Sequence, residues 1–283
     1  MAKTEQPRLA VRKMYKLFIN GAFVRSESGR SDPIADGKEF VANVARGSRK
    51  DVRDAVVAAR AAQAKWWKTA PATRGLILYR LAEMMEARRA EFVERTGDKD
   101  EVTAAIDRIV WYAGWCDKYA ALLSTRNPVG GPHFNFSTAE PAGVIGILAP
   151  DEPALLGLIS VLMPALVAGN AVVLVASETD PRTAMVFAEA LATSDIPAGV
   201  VNVITGTRTE LAPVLAKHMD VNAIAFVDGA QTAGLQTAAA ENVKRTRVLP
   251  ARTPAEWFSP LAQSLDDIAA YSEIKTIWHP AGI

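Results

Sequence analysis

The chain has 283 residues, with 32 basic and 31 acidic side chains, a formal net charge of +1 and 49% hydrophobic residues. That composition suffices for one large core or two modest domains, and the near-zero charge removes the electrostatic case for a nucleic-acid partner. Cys116 is the single cysteine, so no internal disulfide can form and the chain suits a reducing, cytoplasmic compartment.

The N-terminus, "MAKTEQPRLAVRKMYK", is basic but lacks an apolar core of signal-peptide length. Residues 1–123 read as a mostly helical portion. Ser48 followed by Asp51 is a capping-box-like start for "RKDVRDAVVAARAAQAKWW", with Val52, Ala55, Val56 and Ala59 on one face. Pro71 opens a second helix, with Leu78, Leu81, Met85 and Phe92 on one side. A third carries Val102, Ile106, Ile109, Ala113, Cys116, Ala120 and Leu123 at alternating spacings of four and three. A thiol within such a stripe is expected to be a small core residue, not a nucleophile.

Residues 124–140, "STRNPVGGPHFNFSTAE", are turn-rich with alternating "HFNFST". From 141 to 250 apolar strands alternate with helices. "GVIGILAP", "AVVLVA", "GVVNVIT", "NAIAFV" and "KRTRVL" are the strands. Between them lie helices around "ALLGLISVLMPALVAG", "RTAMVFAEALATS", "RTELAPVLAKHM" and "QTAGLQTAAAEN". This rhythm predicts an α/β fold with a doubly wound parallel sheet. The uncharged run Pro153 to Ser177 is long enough to mimic a membrane span, but Pro164 and the Gly169–Asn170 stop divide it into helix, turn and strand. Doubly wound sheets bind ligands at the carboxyl ends of their strands, where Asp151, Ser177, Gly206 and Asp228 fall. Neither GxGxxG nor the P-loop spacing is present. After the Pro-containing stretch 251–263, residues 264–283 read as a short helical piece and an extended tail. That tail and the 124–140 segment could pair into an antiparallel arm, or be a loose end and a linker.

His133, His218 and His279 show no ligand spacing, so no metal site is expected. The acidic pairs Asp151–Glu152 and Asp266–Asp267 read as helix-start charges. No GxSxG elbow supports serine hydrolysis. In "IAFVDGAQ", Asp228 places a carboxylate where a strand-to-helix turn commonly receives phosphate; it reads as the N-cap of the following helix.

Several of these stretches, in order, resemble the aldehyde dehydrogenases: "WYAGWCDKYA", "EPAGVIGILAP", "PALVAGNAVVL", "SETDP", "IPAGVVNVITG", "VNAIAFV" and "SEIKTIWHP". The resemblance covers nearly the whole chain from "KLFINGAFV". It implies a Rossmann-like cofactor domain at 141–250 and an oligomerisation arm made of 124–140 and 264–283. It also implies a whole catalytic domain, bearing the nucleophilic cysteine, where this chain has only the short stretch 251–263. Against the family pattern, Glu152 stands at the oxyanion Asn, Val175 at the ribose-binding Lys, and "TRVLPAR" lacks the general-base Glu. Asp228 and Gly229 replace the Gly and Ser of the turn that faces the cofactor pyrophosphate.

Ser177, Glu178, Gly206 and Phe226 are what the resemblance leaves of a cofactor pocket. No catalytic residue and no cofactor are expected, with NAD as the alternative. The expected function is a non-catalytic subunit supporting a catalytically complete aldehyde dehydrogenase, similar to the silent second module of two-module members. The competing readings are an NAD-dependent oxidoreductase and a nucleotide sensor.

Overall fold

A computed structural model describes residues 11–36 and 39–281, so most of the basic N-terminal stretch lies outside the described residues. Before the first helix the chain is extended, in β1 (Met14–Tyr15), β2 (Leu17–Ile19), β3 (Ala22–Val24), β4 (Ser31–Asp36) and β5 (Glu39–Ala45). The first portion is helical from Arg49 onward, and these strands before it are what the sequence reading did not anticipate. The reason is local. β2 and β3 pair Ile19 with Ala22, leaving Asn20 and Gly21 as a two-residue turn with φ of 53° and 75°. Asn-Gly is the pair best suited to two consecutive positive φ values.

The helical part starts as the capping box indicates. Ser48 Oγ accepts from the Lys50 and Asp51 backbone N–H groups, and Asp51 Oδ2 accepts from Ser48 N at 2.8 Å. Helix α1 (Arg49–Lys68) follows and buries Val52, Ala55, Val56 and Ala59. Pro71 opens α2 (Pro71–Ala87), and then come α3 (Arg89–Thr96), α4 (Lys99–Ala113) and α5 (Tyr119–Leu123). The stripe predicted as one helix through Leu123 is two. A turn over 114–118 interrupts it and carries Cys116, which is 1% exposed. Gly75 allows α2 to approach here, since a Cβ at that position would lie 2.9 Å from the Ala113 carbonyl oxygen.

β6 (Thr125–Asn127) and β7 (His133–Pro141) lead into the parallel strands β8 (Val144–Leu148), β9 (Ala171–Val175), β10 (Val201–Ile204), β11 (Ala223–Val227) and β12 (Arg245–Leu249). The connecting helices are α6 (Leu156–Val167), α7 (Pro181–Leu191), α8 (Arg208–Lys217) and α9 (Thr232–Ala240). The sheet order is β12-β11-β8-β9-β10-β2-β3, with the β10–β2 and β2–β3 pairs antiparallel and the others parallel. One core joins α2, α4, α6 and α7 to one face, and a second joins α1, α8 and α9 to the other. The sheet is therefore doubly wound. All twelve residues of α6 are buried. Its start is held from outside by Glu101, whose Oε1 accepts from Leu155 N at 2.8 Å and Leu156 N at 3.0 Å; burial raises the carboxyl pKa. No helix among the described residues is long and apolar enough to cross a membrane.

The stretch after β12 is docked rather than loose. α10 (Pro254–Phe258) buries Trp257 against α6, and the 3-10 turn Pro260–Ala262 buries Ala262. Arg108 of α4 fastens this segment through Gln263 Oε1 at 3.2 Å and the Ser259 carbonyl at 3.4 Å, while also donating to Ser160 Oγ. After α11 (Leu265–Ala269), β13 (Ser272–Pro280) pairs antiparallel with β7, from Ser272–Pro141 to Pro280–His133. The alternatives left open for the two extended segments thus resolve to a three-stranded arm of order β13-β7-β6. β13 lies at the edge of this sheet, with Ile274 and Trp278 55% and 61% exposed.

Candidate functional site

β8 has β9 on one side and β11 on the other, so the strand order reverses beside it. Ligand sites of doubly wound sheets lie outside the carboxyl ends of the strands at such a switch. A hollow of about 410 Å³ opens there. The turn after β8 supplies Asp151 and Glu152, the turn after β9 supplies Glu178, and α8 supplies Arg208. Phe226 and Asp228 come from β11 and its turn. Arg252 and Trp257 come from the segment after β12.

Three charged residues of this crevice, Asp151, Glu178 and Arg208, are bonded to one another. Asp151 Oδ2 accepts from Arg208 Nη1 at 2.8 Å and Oδ1 from Arg208 Nη2 at 3.0 Å, a two-pronged pair. Arg208 Nη2 also donates to the Ala149 carbonyl oxygen. Asp151 Oδ1 further accepts from Ser177 Oγ and from Glu178 N, each at 3.0 Å. Glu178 Oε1 accepts from the Arg208 backbone N–H at 2.7 Å. Thr207, the N-cap of α8, makes no side-chain cap bond, so Glu178 supplies that helix with its N-terminal acceptor. One network joins the ends of β8, β9 and β10.

The sequence-predicted pocket residues are divided between two hollows. Glu178 and Phe226 line the main one, whereas Ser177 and Gly206 line a second, of about 120 Å³, with Glu178 common to both. Ser177 is largely a turn staple, accepting from Thr179 N and Asp180 N at 3.1 and 3.2 Å. Gly206 has φ of 142°, and a Cβ there would lie 3.1 Å from Gly47 N, so packing against the chain after β5 already requires glycine.

The structure corrects the N-cap reading of Asp228. A turn through Gly229–Gln231 separates it from α9, whose N-cap position is Gln231. Asp228 Oδ1 instead accepts from Thr232 Oγ1 at 2.7 Å, and that hydroxyl accepts from Gly229 N at 2.9 Å. The carboxylate still lines the crevice.

Arg208 is the residue that sequence reasoning missed. Its signal was present: "GTRTE" puts a cation on the first turn of a helix, where the positive dipole end disfavours it unless carboxylates hold it.

Cys116 lines neither hollow of the crevice. Burial is the main cause that pushes its thiol up to about 12. Against a free thiol near about 8.5, alkylation of the native chain should be roughly a thousandfold slower, with full labelling after denaturation. Labelling at the free-thiol rate in the native state would refute this assignment. Among the described residues, no group of three or more His, Cys, Asp or Glu side chains is placed to hold a metal ion.

The aldehyde dehydrogenase family model matches residues 23–249. The 2-hydroxymuconic semialdehyde dehydrogenase of a Pseudomonas species is 36% identical over 249 residues, covering 82% of this chain and 51% of that protein. An aldehyde dehydrogenase of Emericella nidulans is 32% identical over 256 residues, 85% of this chain and 51% of its own length. Among solved structures, the NAD+ complex of the Bacillus cereus aldehyde dehydrogenase superposes with a TM-score of 0.79 at 26% identity, covering 84% of this chain and 51% of that one. HpcC of Thermus thermophilus gives 0.78 at 30% identity, covering 84% and 48%. The chain spans about half the length of each of these proteins. With a family match over residues 23–249 and the fold and crevice described, the chain belongs to the aldehyde dehydrogenase family.

Proposed function

We propose that this chain is a non-catalytic aldehyde dehydrogenase-like subunit, a pseudoenzyme of the cytoplasm, that assembles with and supports a catalytically complete aldehyde dehydrogenase. The observation that carries the reading is the crevice itself, where the carboxylates of Asp151 and Glu178 are taken by the chain's own Arg208.

A dinucleotide does not fit these residues. Glu178 is engaged at the start of α8, Val175 is a fully buried aliphatic at the end of β9, and Asp228 adds a carboxylate to the wall. Four carboxylates, of Asp151, Glu152, Glu178 and Asp228, line the main hollow against two guanidiniums, of Arg208 and Arg252. A diphosphate is repelled by that balance. Glu152, moreover, accepts hydrogen bonds at neutral pH and cannot donate one to a developing oxyanion.

The arm supports the assembly half of the proposal. An edge strand with exposed Ile274 and Trp278 offers a template for strand addition. The alternative, an NAD-dependent oxidoreductase or nucleotide sensor, draws on the likeness to a structure solved as an NAD+ complex and on Phe226 and Glu178 at the crevice. Purification of the tagged chain from its native host separates these readings. A complete aldehyde dehydrogenase is expected to co-purify in fixed ratio, and recovery of this chain alone or only as a homo-oligomer contradicts the proposal.

A further inference from the structure

We propose that Arg208 is a built-in competitor at the crevice, a residue that holds the carboxylates a nucleotide would need and so adds to the exclusion of one. The inference rests on the non-catalytic reading above and deepens it by naming a specificity-determining residue.

Three observations converge on it. Arg208 lies at the first position of α8, next to the end of β10, where a free helix N-terminus would otherwise face the crevice. Its backbone N–H is taken by Glu178, and its guanidinium is gripped on two prongs by Asp151. The Arg208 side chain is only 18% exposed, against 40% for that of Asp151, so the arginine side of the pair is partly withdrawn from water. These carboxylates stand at the carboxyl ends of β8 and β9, where a ligand of a doubly wound sheet would meet them, and both are already engaged. An entering nucleotide must therefore displace a covalently tethered competitor that is always present at saturating effective concentration.

The consequence is specific. Removing the charge of Asp228 and supplying a lysine at Val175 repairs the crevice wall but leaves Asp151 and Glu178 engaged by Arg208. Calorimetric titration with NAD compares the unaltered chain, the double variant Asp228→Gly with Val175→Lys, and the triple variant that adds Arg208→Gly. The double variant is expected to gain less than about threefold over the unaltered chain, and the triple variant at least about tenfold more. Arg208→Gly alone should lower Tm by about 3 to 6 °C, because it unties three strand ends and leaves Asp151 without its cation. If Arg208→Gly does not fold, Arg208→Gln keeps most of the volume, removes the charge and carries the same two expectations.

Equal NAD affinities with and without Arg208 in folded protein, or an unchanged Tm, overturn the inference while leaving the non-catalytic reading standing. Low-micromolar binding of NAD by the unaltered chain overturns both.

Discussion

Purified alone, the chain is expected to give no measurable NAD-dependent oxidation of small aldehydes. Cys116 is its only thiol, and it is buried in the turn after α4 with its pKa pushed up to about 12. At neutral pH the thiolate, the form that attacks a carbonyl, is then negligible. Loss of a nucleophile alone typically costs on the order of 10⁶-fold in kcat. Placing the Glu152 carboxylate beside the crevice, where an oxyanion donor would serve, adds about 100- to 1,000-fold. The product of these factors takes any turnover below the drift of an NADH absorbance assay. Steady NADH formation that disappears in Cys116→Ala would show that the thiol reaches substrate, and the non-catalytic reading would fall.

The parallel part of the fold was legible because β8 to β11 are short, largely apolar runs, each followed by a helix. Asp180–Pro181 before α7 and Gly169–Asn170 after α6 mark a start and a stop. Strands β1 to β3 were not read because they are two or three residues long, below the length at which a period of two is visible. The Asn20–Gly21 turn was the available clue. The break at Gly114 was hidden because Cys116, Ala120 and Leu123 continue the apolar spacing while the backbone turns beneath them.

Nonlocal features were less accessible. β7 and β13 pair across more than a hundred residues, and no local pattern sets that register. Within the site, strand ends located Asp151 and Asp228 and the family resemblance Glu178 and Phe226, but the Arg208 network needs three such ends brought together by the sheet. Asp228 was misread for a different reason. Its role depended on the three-residue turn that precedes α9, and turn length is poorly specified by a Gly-Ala-Gln sequence.

The second large effect concerns the arm. β13 satisfies one edge through nine registered pairs with β7, and its other edge has no strand partner among the described residues. A strand laid on that edge gains a ladder of backbone hydrogen bonds, each worth about 0.5–1.5 kcal/mol net, and covers Ile274 and Trp278. Removing β13 should therefore abolish the complex with a complete aldehyde dehydrogenase, not merely weaken it. The cut belongs after Ser272, since Tyr271 and Ser272 are buried and Asn170 donates to the Tyr271 carbonyl at 3.0 Å. The double substitution Ile274→Asp with Trp278→Asp tests the same surface at exposed positions, where changes cost little stability. Native mass spectrometry of the chain co-expressed with the dehydrogenase recovered from its host is the direct measurement. The full chain is expected as a hetero-oligomer of fixed stoichiometry and both altered chains as separate species. A complex that survives loss of β13 unchanged, or a full chain that never associates, would contradict assembly through the arm.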